Sequence, residues 1–103
     1  MLKGHLDLIV LAALSAGPAH GYAVIEEIRR KSGRAFDLPE GTIYPALHRL
    51  EQQGLIEAEW GNSENNRQAK FYQLTRDGRK QLAEETRNWE RISTAVARIL
   101  AGL

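Results

Sequence analysis

Apolar positions along this chain change period repeatedly, and each change marks an element. Leu6, Leu8, Ile9, Val10, Leu11, Ala12, Ala13 and Leu14 come almost without interruption. They predict a helix over residues 4–16 that is apolar on nearly all sides, which implies burial on more than one face. Gly17-Pro18 ends it. Val24, Ile25 and Ile28 then share one stripe of a second helix, from about Gly21 to Ser32, with Gly33 as its stop. Phe36-Asp37-Leu38 reads as a short extended piece, because Pro39 turns Leu38 away from the helical region. A third helix follows from about Glu40 to Gln53, with Gly54 as its stop. The period then shortens to two. Leu55 to Trp60 and Ala69 to Leu74 predict a hairpin around the polar turn Gly61-Asn-Ser-Glu-Asn-Asn66. Thr75 is a natural N-cap with Asp77 in the first turn after it. Beyond it Leu82, Trp89, Val96 and Leu103 recur every seven residues, with Ile92 and Ile99 between them. That is an a/d seam, broken at Glu85, and an apolar seam has to be covered.

The order helix, helix, helix, hairpin, helix predicts a mainly α protein with a small β wing, a winged helix-turn-helix with the third helix as its reading element. Residues 1–74 form the winged unit. Residues 75–103 form a long dimerisation helix that packs with residues 4–16 of a partner, the whole being one compact unit. Leu6, Ile9, Val10, Leu82, Trp89, Ile92, Val96 and Ile99 are the expected dimer contacts.

The third helix carries the candidate chemistry. With about 100° per residue, Leu47 and Leu50 fall within about 40° of Ile43, and Ala46 within about 60°. Tyr44, Pro45, His48, Arg49 and Gln52 occupy the other side. Such a face can donate and accept hydrogen bonds along base edges or meet phosphates. Reading helices touch bases mainly near their N-terminus, which favours Thr42, Tyr44, Pro45 and His48 over Gln52. Pro45 falls in the first turns, where its missing N–H costs least. Arg49 has two readings, a DNA contact or an ion pair with a neighbouring carboxylate, on its own helix or at Asp37. Tyr44 also has two, a hydroxyl reaching DNA or a ring packed on the wing. In the wing, Arg67 and Lys70 among Asn65, Asn66 and Gln68 suit phosphates and a minor groove. Read blandly, the same residues make a solvated turn.

Composition narrows the function classes. A chain of 103 residues with 43% hydrophobic and 26% charged residues is an ordinary globular domain whose modest core favours oligomerisation. The absence of cysteine excludes a disulfide framework, a thiolate nucleophile and a Cys-based zinc site. The N-terminal apolar run carries Asp7 and lacks a good cleavage site, so it reads as a core helix rather than a signal peptide. No run reaches the roughly 18 residues that span a membrane. These features suit a cytoplasmic protein. The net charge of +1 hides two basic clusters, Arg29-Arg30-Lys31 with Arg34, and Arg67, Lys70, Arg76, Arg79 and Lys80. His5, His20 and His48 are scattered, and His48 with Glu51 offers two metal ligands where a site needs more. No enzyme, metal or cofactor is expected. His20 reads as a helix-entry residue.

Three segments resemble the PadR family of bacterial transcriptional regulators in its short form. They are His20-Gly21-Tyr22, Gly41-Thr-Ile-Tyr-Pro-Ala-Leu-His-Arg-Leu-Glu51 with Gly54-Leu-Ile56, and Arg67-x-x-Lys-Phe-Tyr-x-Leu-Thr-x-x-Gly78. The resemblance spans essentially the whole chain, and the middle segment is its most specific part. It implies a homodimer whose last helix packs with the partner's first and last helices. It also implies double-stranded DNA with two-fold symmetry as the target, usually for repression, with release by a small aromatic ligand. Some family members hold planar drugs between paired tryptophans of the last helix, and Trp89 is the matching candidate here, the other reading being an ordinary interface anchor. Gln68-Ala69 and Phe71 depart from the family's more basic, Tyr-bearing wing. A winged-helix module that binds protein instead of DNA is the alternative.

Overall fold

The computed structural model describes residues 2–103, with side chains from His5 onward. Helix α1 spans Leu2–Ala13, α2 Gly21–Lys31, α3 Glu40–Gln52 and α4 Arg76–Ala101. Strands β1 (Ala19–His20), β2 (Ile56–Asn62) and β3 (Gln68–Leu74) form one antiparallel sheet in the order β1-β3-β2. This is the winged helix-turn-helix expected from the pattern. Met1 lies outside the described residues.

Strand β1 is an addition to that expectation. Ala19 and His20 pair with Tyr72 and Phe71, so the wing is anchored on its inner edge by the residues that enter α2. Phe36-Asp37-Leu38 joins no sheet and connects α2 to α3. The hairpin is as read but its ladder is longer: β2 pairs with β3 from Ile56↔Leu74 to Asn62↔Gln68 without a break, which takes Gly61 and Asn62 out of the expected turn.

The core draws on α1, α2, α3 and the sheet. Val10, Leu11, Leu14, Val24, Ile43, Leu47, Leu50, Ile56 and Tyr72 have essentially no exposed surface. Val10 was expected at a dimer contact, but it is spent inside its own protomer and has no surface to offer a second chain. Leu6, Ile9 and Leu82 are half-buried at the core's edge. Helix α4 contributes only Gly78 to the fully buried set.

Three joints fix α3 and the wing. Gly54 takes φ +75°, a left-handed conformation that stops α3 and that side chains disfavour. The Leu55 N–H then donates to the Leu50 carbonyl at 3.0 Å. The Thr75 side chain is the second joint. Its hydroxyl donates to the Gly54 carbonyl at 2.7 Å and accepts from the Gly78 N–H at 3.0 Å. It therefore clasps the end of α3 to the start of α4. The third joint is a close approach, since a Cβ on Gly78 would lie 1.9 Å from the Leu55 carbonyl oxygen. The last signature, Lys-Phe-Tyr-x-Leu-Thr-x-x-Gly, thus encodes a strand, a cap and a backbone contact in sequence.

Candidate nucleic-acid interface

Helix α3 buries one stripe and presents the other. Ile43, Ala46, Leu47 and Leu50 have no exposed surface, which fixes the helix in rotation. Pro45 and His48 are exposed on the opposite side, and Thr42 and Tyr44 are half-buried along its flank. Pro45 is the sixth helical residue rather than a first-turn one. It therefore removes one internal bond and leaves the Gly41 carbonyl without its usual donor. The interruption sits at the entry of the presented face.

Tyr44 is half-buried and packs where neither sequence reading put it. Its ring lies against the start of α2: a Cβ on Gly21 would come within 2.5 Å of the ring and 2.6 Å of the phenolic oxygen. The His20-Gly21-Tyr22 segment and Tyr44 are one packing unit for this reason. Burial, with smaller contributions from the Glu40 charge and Tyr72, holds the Tyr44 hydroxyl above the ordinary phenol range. It remains a neutral hydrogen-bond donor at any physiological pH. His20 supports the same unit. Its Nδ1 accepts from the Ala23 N–H at 3.2 Å, capping α2, and its ring meets Phe71 edge-on at 5.5 Å. A neutral imidazole with the other nitrogen protonated fits that bond.

Two of the expected cations arrive already engaged. Arg49 is ion-paired with Asp7, which ties α3 to α1. This carboxylate is neither on its own helix nor Asp37. Lys70 reaches the Glu51 carboxylate at 3.3 Å, with its ammonium 5.5 Å from the centre of the Tyr72 ring. Arg67 is different. It is exposed at the hairpin turn, where its carbonyl accepts from the Ser63 N–H at 2.8 Å. The α2 basic cluster is largely neutralised on its own helix, Arg29 by Glu26, and Arg30 and Lys31 by Glu27 at 2.8 and 3.0 Å. Those two cations, Arg30 first, hold the Glu27 carboxyl below its ordinary range.

The residues named for dimerisation divide by position. Trp89 is 43% exposed, with its ring edge-on to His5 of α1 at 4.8 Å. Ile92, Val96 and Ile99 continue the stripe with exposure rising to 71% at Ile99. Sequence reasoning left three exposed aromatics without a role, Phe36 among them. Tyr22, at the second position of α2, borders an open groove of about 780 Å³ between α2 and the hairpin turn. Trp60 stands on β2 and is 66% exposed. Among the described residues no three His, Cys, Asp or Glu side chains converge on a metal site. No helix among them is long and apolar enough to cross a membrane.

A helix-turn-helix whose second helix is locked on one side and polar on the other, with a hairpin beside it, defines a winged-helix regulator. Residues 10–84 match the transcriptional regulator PadR-like family, and the chain belongs to that family. It is 33% identical over 94 residues to the transcriptional regulator Rv3488 of Mycobacterium tuberculosis, covering 91% of this chain and 84% of that one. A PadR-like transcriptional regulator of Bacillus cereus superposes with TM-score 0.84 at 32% identity, covering 97% of this chain and 95% of the other. A PadR family transcription regulator of Clostridium difficile superposes with TM-score 0.83 at 29% identity, covering 94% and 99%. The family is one of transcriptional regulators, not enzymes.

Proposed function

We propose that this regulator is a cytoplasmic homodimer that binds a two-fold symmetric DNA operator and represses transcription. The observation that carries the reading is the geometry of α3. Four residues with no exposed surface lock its inner stripe, while Pro45 and His48 stand free opposite them. Thr42, Tyr44, Pro45 and His48 meet base edges and the nearest phosphates in the major groove. Arg67 at the wing turn meets the backbone or the adjacent minor groove. Arg49 and Lys70 act through position: their ion pairs hold α3 on α1 and the wing on α3.

Dimerisation is supported by the apolar stripe Trp89, Ile92, Val96 and Ile99, which its own chain leaves exposed. Half-buried Leu6, Ile9 and Leu82 lie at the edge of the core beside it. In this reading residues 1–74 read DNA and residues 75–103 hold the dimer. Two copies of Trp89 facing each other across the dyad would offer a planar aromatic effector a stacking site, and its binding would release the DNA.

Selection of bound duplexes from a random library tests the reading. A palindromic consensus with half-sites about 34–36 Å apart is expected. Absence of any preferred duplex at low salt would overturn specific DNA binding and favour a protein-binding module. Quenching of Trp89 emission by planar aromatics, lost in Trp89→Phe, is expected of the effector site.

A further inference from the structure

We infer that Trp60 is a DNA contact: its indole lies against the sugar–phosphate strand that passes between α3 and the wing. The inference rests on the DNA-binding reading above and adds a residue and a role to it.

The face on which Trp60 stands is set by register. Ile56, Ala58, Trp60 and Asn62 share one side of β2, opposite Leu74, Tyr72, Lys70 and Gln68 of β3. Ile56, Tyr72 and Leu74 are core residues, so this side faces the helices. Lys70, the direct partner of Trp60, reaches across to Glu51 of α3. Trp60 therefore flanks α3 on the side from which α3 and the wing would together grip a duplex. Beyond Ala58 the core no longer covers this face, and the indole is 66% exposed on a paired, ordered strand.

Charge is sorted between the two faces of β2. Its carboxylates, Glu57 and Glu59, fall at the alternate positions opposite Gln73 and Phe71. Glu57 accepts a hydrogen bond from the Gln73 amide there at 3.1 Å. The Trp60 face carries only the cation and amides of Lys70, Asn62 and Gln68 at its outer end. Glu51, which reaches it from α3, is bound to Lys70. A polyanionic backbone can approach this face without meeting a free carboxylate of the strand. An indole supplies one N–H donor for a phosphate oxygen and a flat apolar face for a deoxyribose. Neither reads a base edge, so the contact strengthens all duplexes alike.

The test uses the full chain, whose two tryptophans are Trp60 and Trp89. Wild-type protein, Trp60→Phe and Trp60→Ala are titrated with a selected duplex and with a random duplex of equal length. In wild type, DNA is expected to shift the tryptophan emission and to shield it from acrylamide. In Trp60→Phe that change is expected to vanish. Trp60→Ala is expected to lose about tenfold in affinity for both duplexes, the scale of one hydrogen bond to a charged group, with their ratio unchanged. An emission change that survives in Trp60→Phe, or wild-type affinity in Trp60→Ala, would overturn the inference while leaving DNA binding intact. So would shielding of Trp60 by raised protein concentration alone, which would assign the face to a second copy. A changed ratio between duplexes would overturn the backbone assignment. Loss of all DNA retention by wild type would instead remove the reading on which the inference rests.

Discussion

Two glycines hold the chain's least replaceable contacts, and they fail in different ways. A Cβ on Gly78 would strike backbone, the Leu55 carbonyl oxygen at 1.9 Å, and no rotamer change relieves that. We expect Gly78→Ala to destabilise by about 3 kcal/mol, the upper range for overpacking, and to lower Tm by more than about 10 °C. Gly21 faces a side chain instead, so the Tyr44 ring can swing aside. We expect Gly21→Ala to keep most of the stability while weakening operator binding about three- to tenfold, the scale of one displaced hydrogen bond. Thermal melts and binding measured on the same two variants separate the cases. Thr75→Ala is expected to cost about 1–2 kcal/mol, because the hydroxyl both caps α4 and holds the Gly54 carbonyl.

At the level of elements, the free and the engaged cations of the wing should behave differently toward salt. Arg67 is exposed at the turn, whereas Lys70 is neutralised by Glu51. Arg67→Gln is expected to reduce the slope of log affinity against log salt by about 0.9, one phosphate contact. Lys70→Gln is expected to leave that slope nearly unchanged. Equal slopes for both variants would show that Lys70 exchanges Glu51 for phosphate on binding. The elements themselves were legible because each has its own period and its own stop. Strand β1 was not, since two residues carry no period and His20 is claimed equally by the α2 cap and the sheet. The pair Arg49–Asp7 joins residues 42 positions apart, and no local pattern announces it. Trp60 illustrates a subtler limit. Its phase with Ile56 and Ala58 shows which face it shares, but phase says nothing about where along the strand the core ends. Val10 fails in the opposite sense: in an all-round apolar helix, periodicity cannot separate the side facing its own core from the side facing a partner.

Taken whole, the molecule measures 54 × 28 × 21 Å, and α4, with 26 residues and a length of about 39 Å, is its longest helix. The outer half of α4 carries an apolar stripe that its own chain leaves exposed, so we expect Val96→Glu together with Ile99→Glu to yield monomers by analytical ultracentrifugation with a normal melting profile at the winged unit. Operator binding should then fall by more than tenfold, because two half-sites would no longer be held on one particle. The Thr75 clasp gives that helix a further consequence. In the proposed dimer the clasp leaves no flexible joint between the reading helix and the stripe, so the distance between half-sites would be written into the length and phase of α4. One residue inserted between Gly78 and Trp89 would turn the stripe by about 100° and mispair the subunits. Seven would bring it back to within about 20° of phase and lengthen the shaft by about 10.5 Å. The operator preferred by such a variant would differ in spacer length while keeping the same half-site sequence.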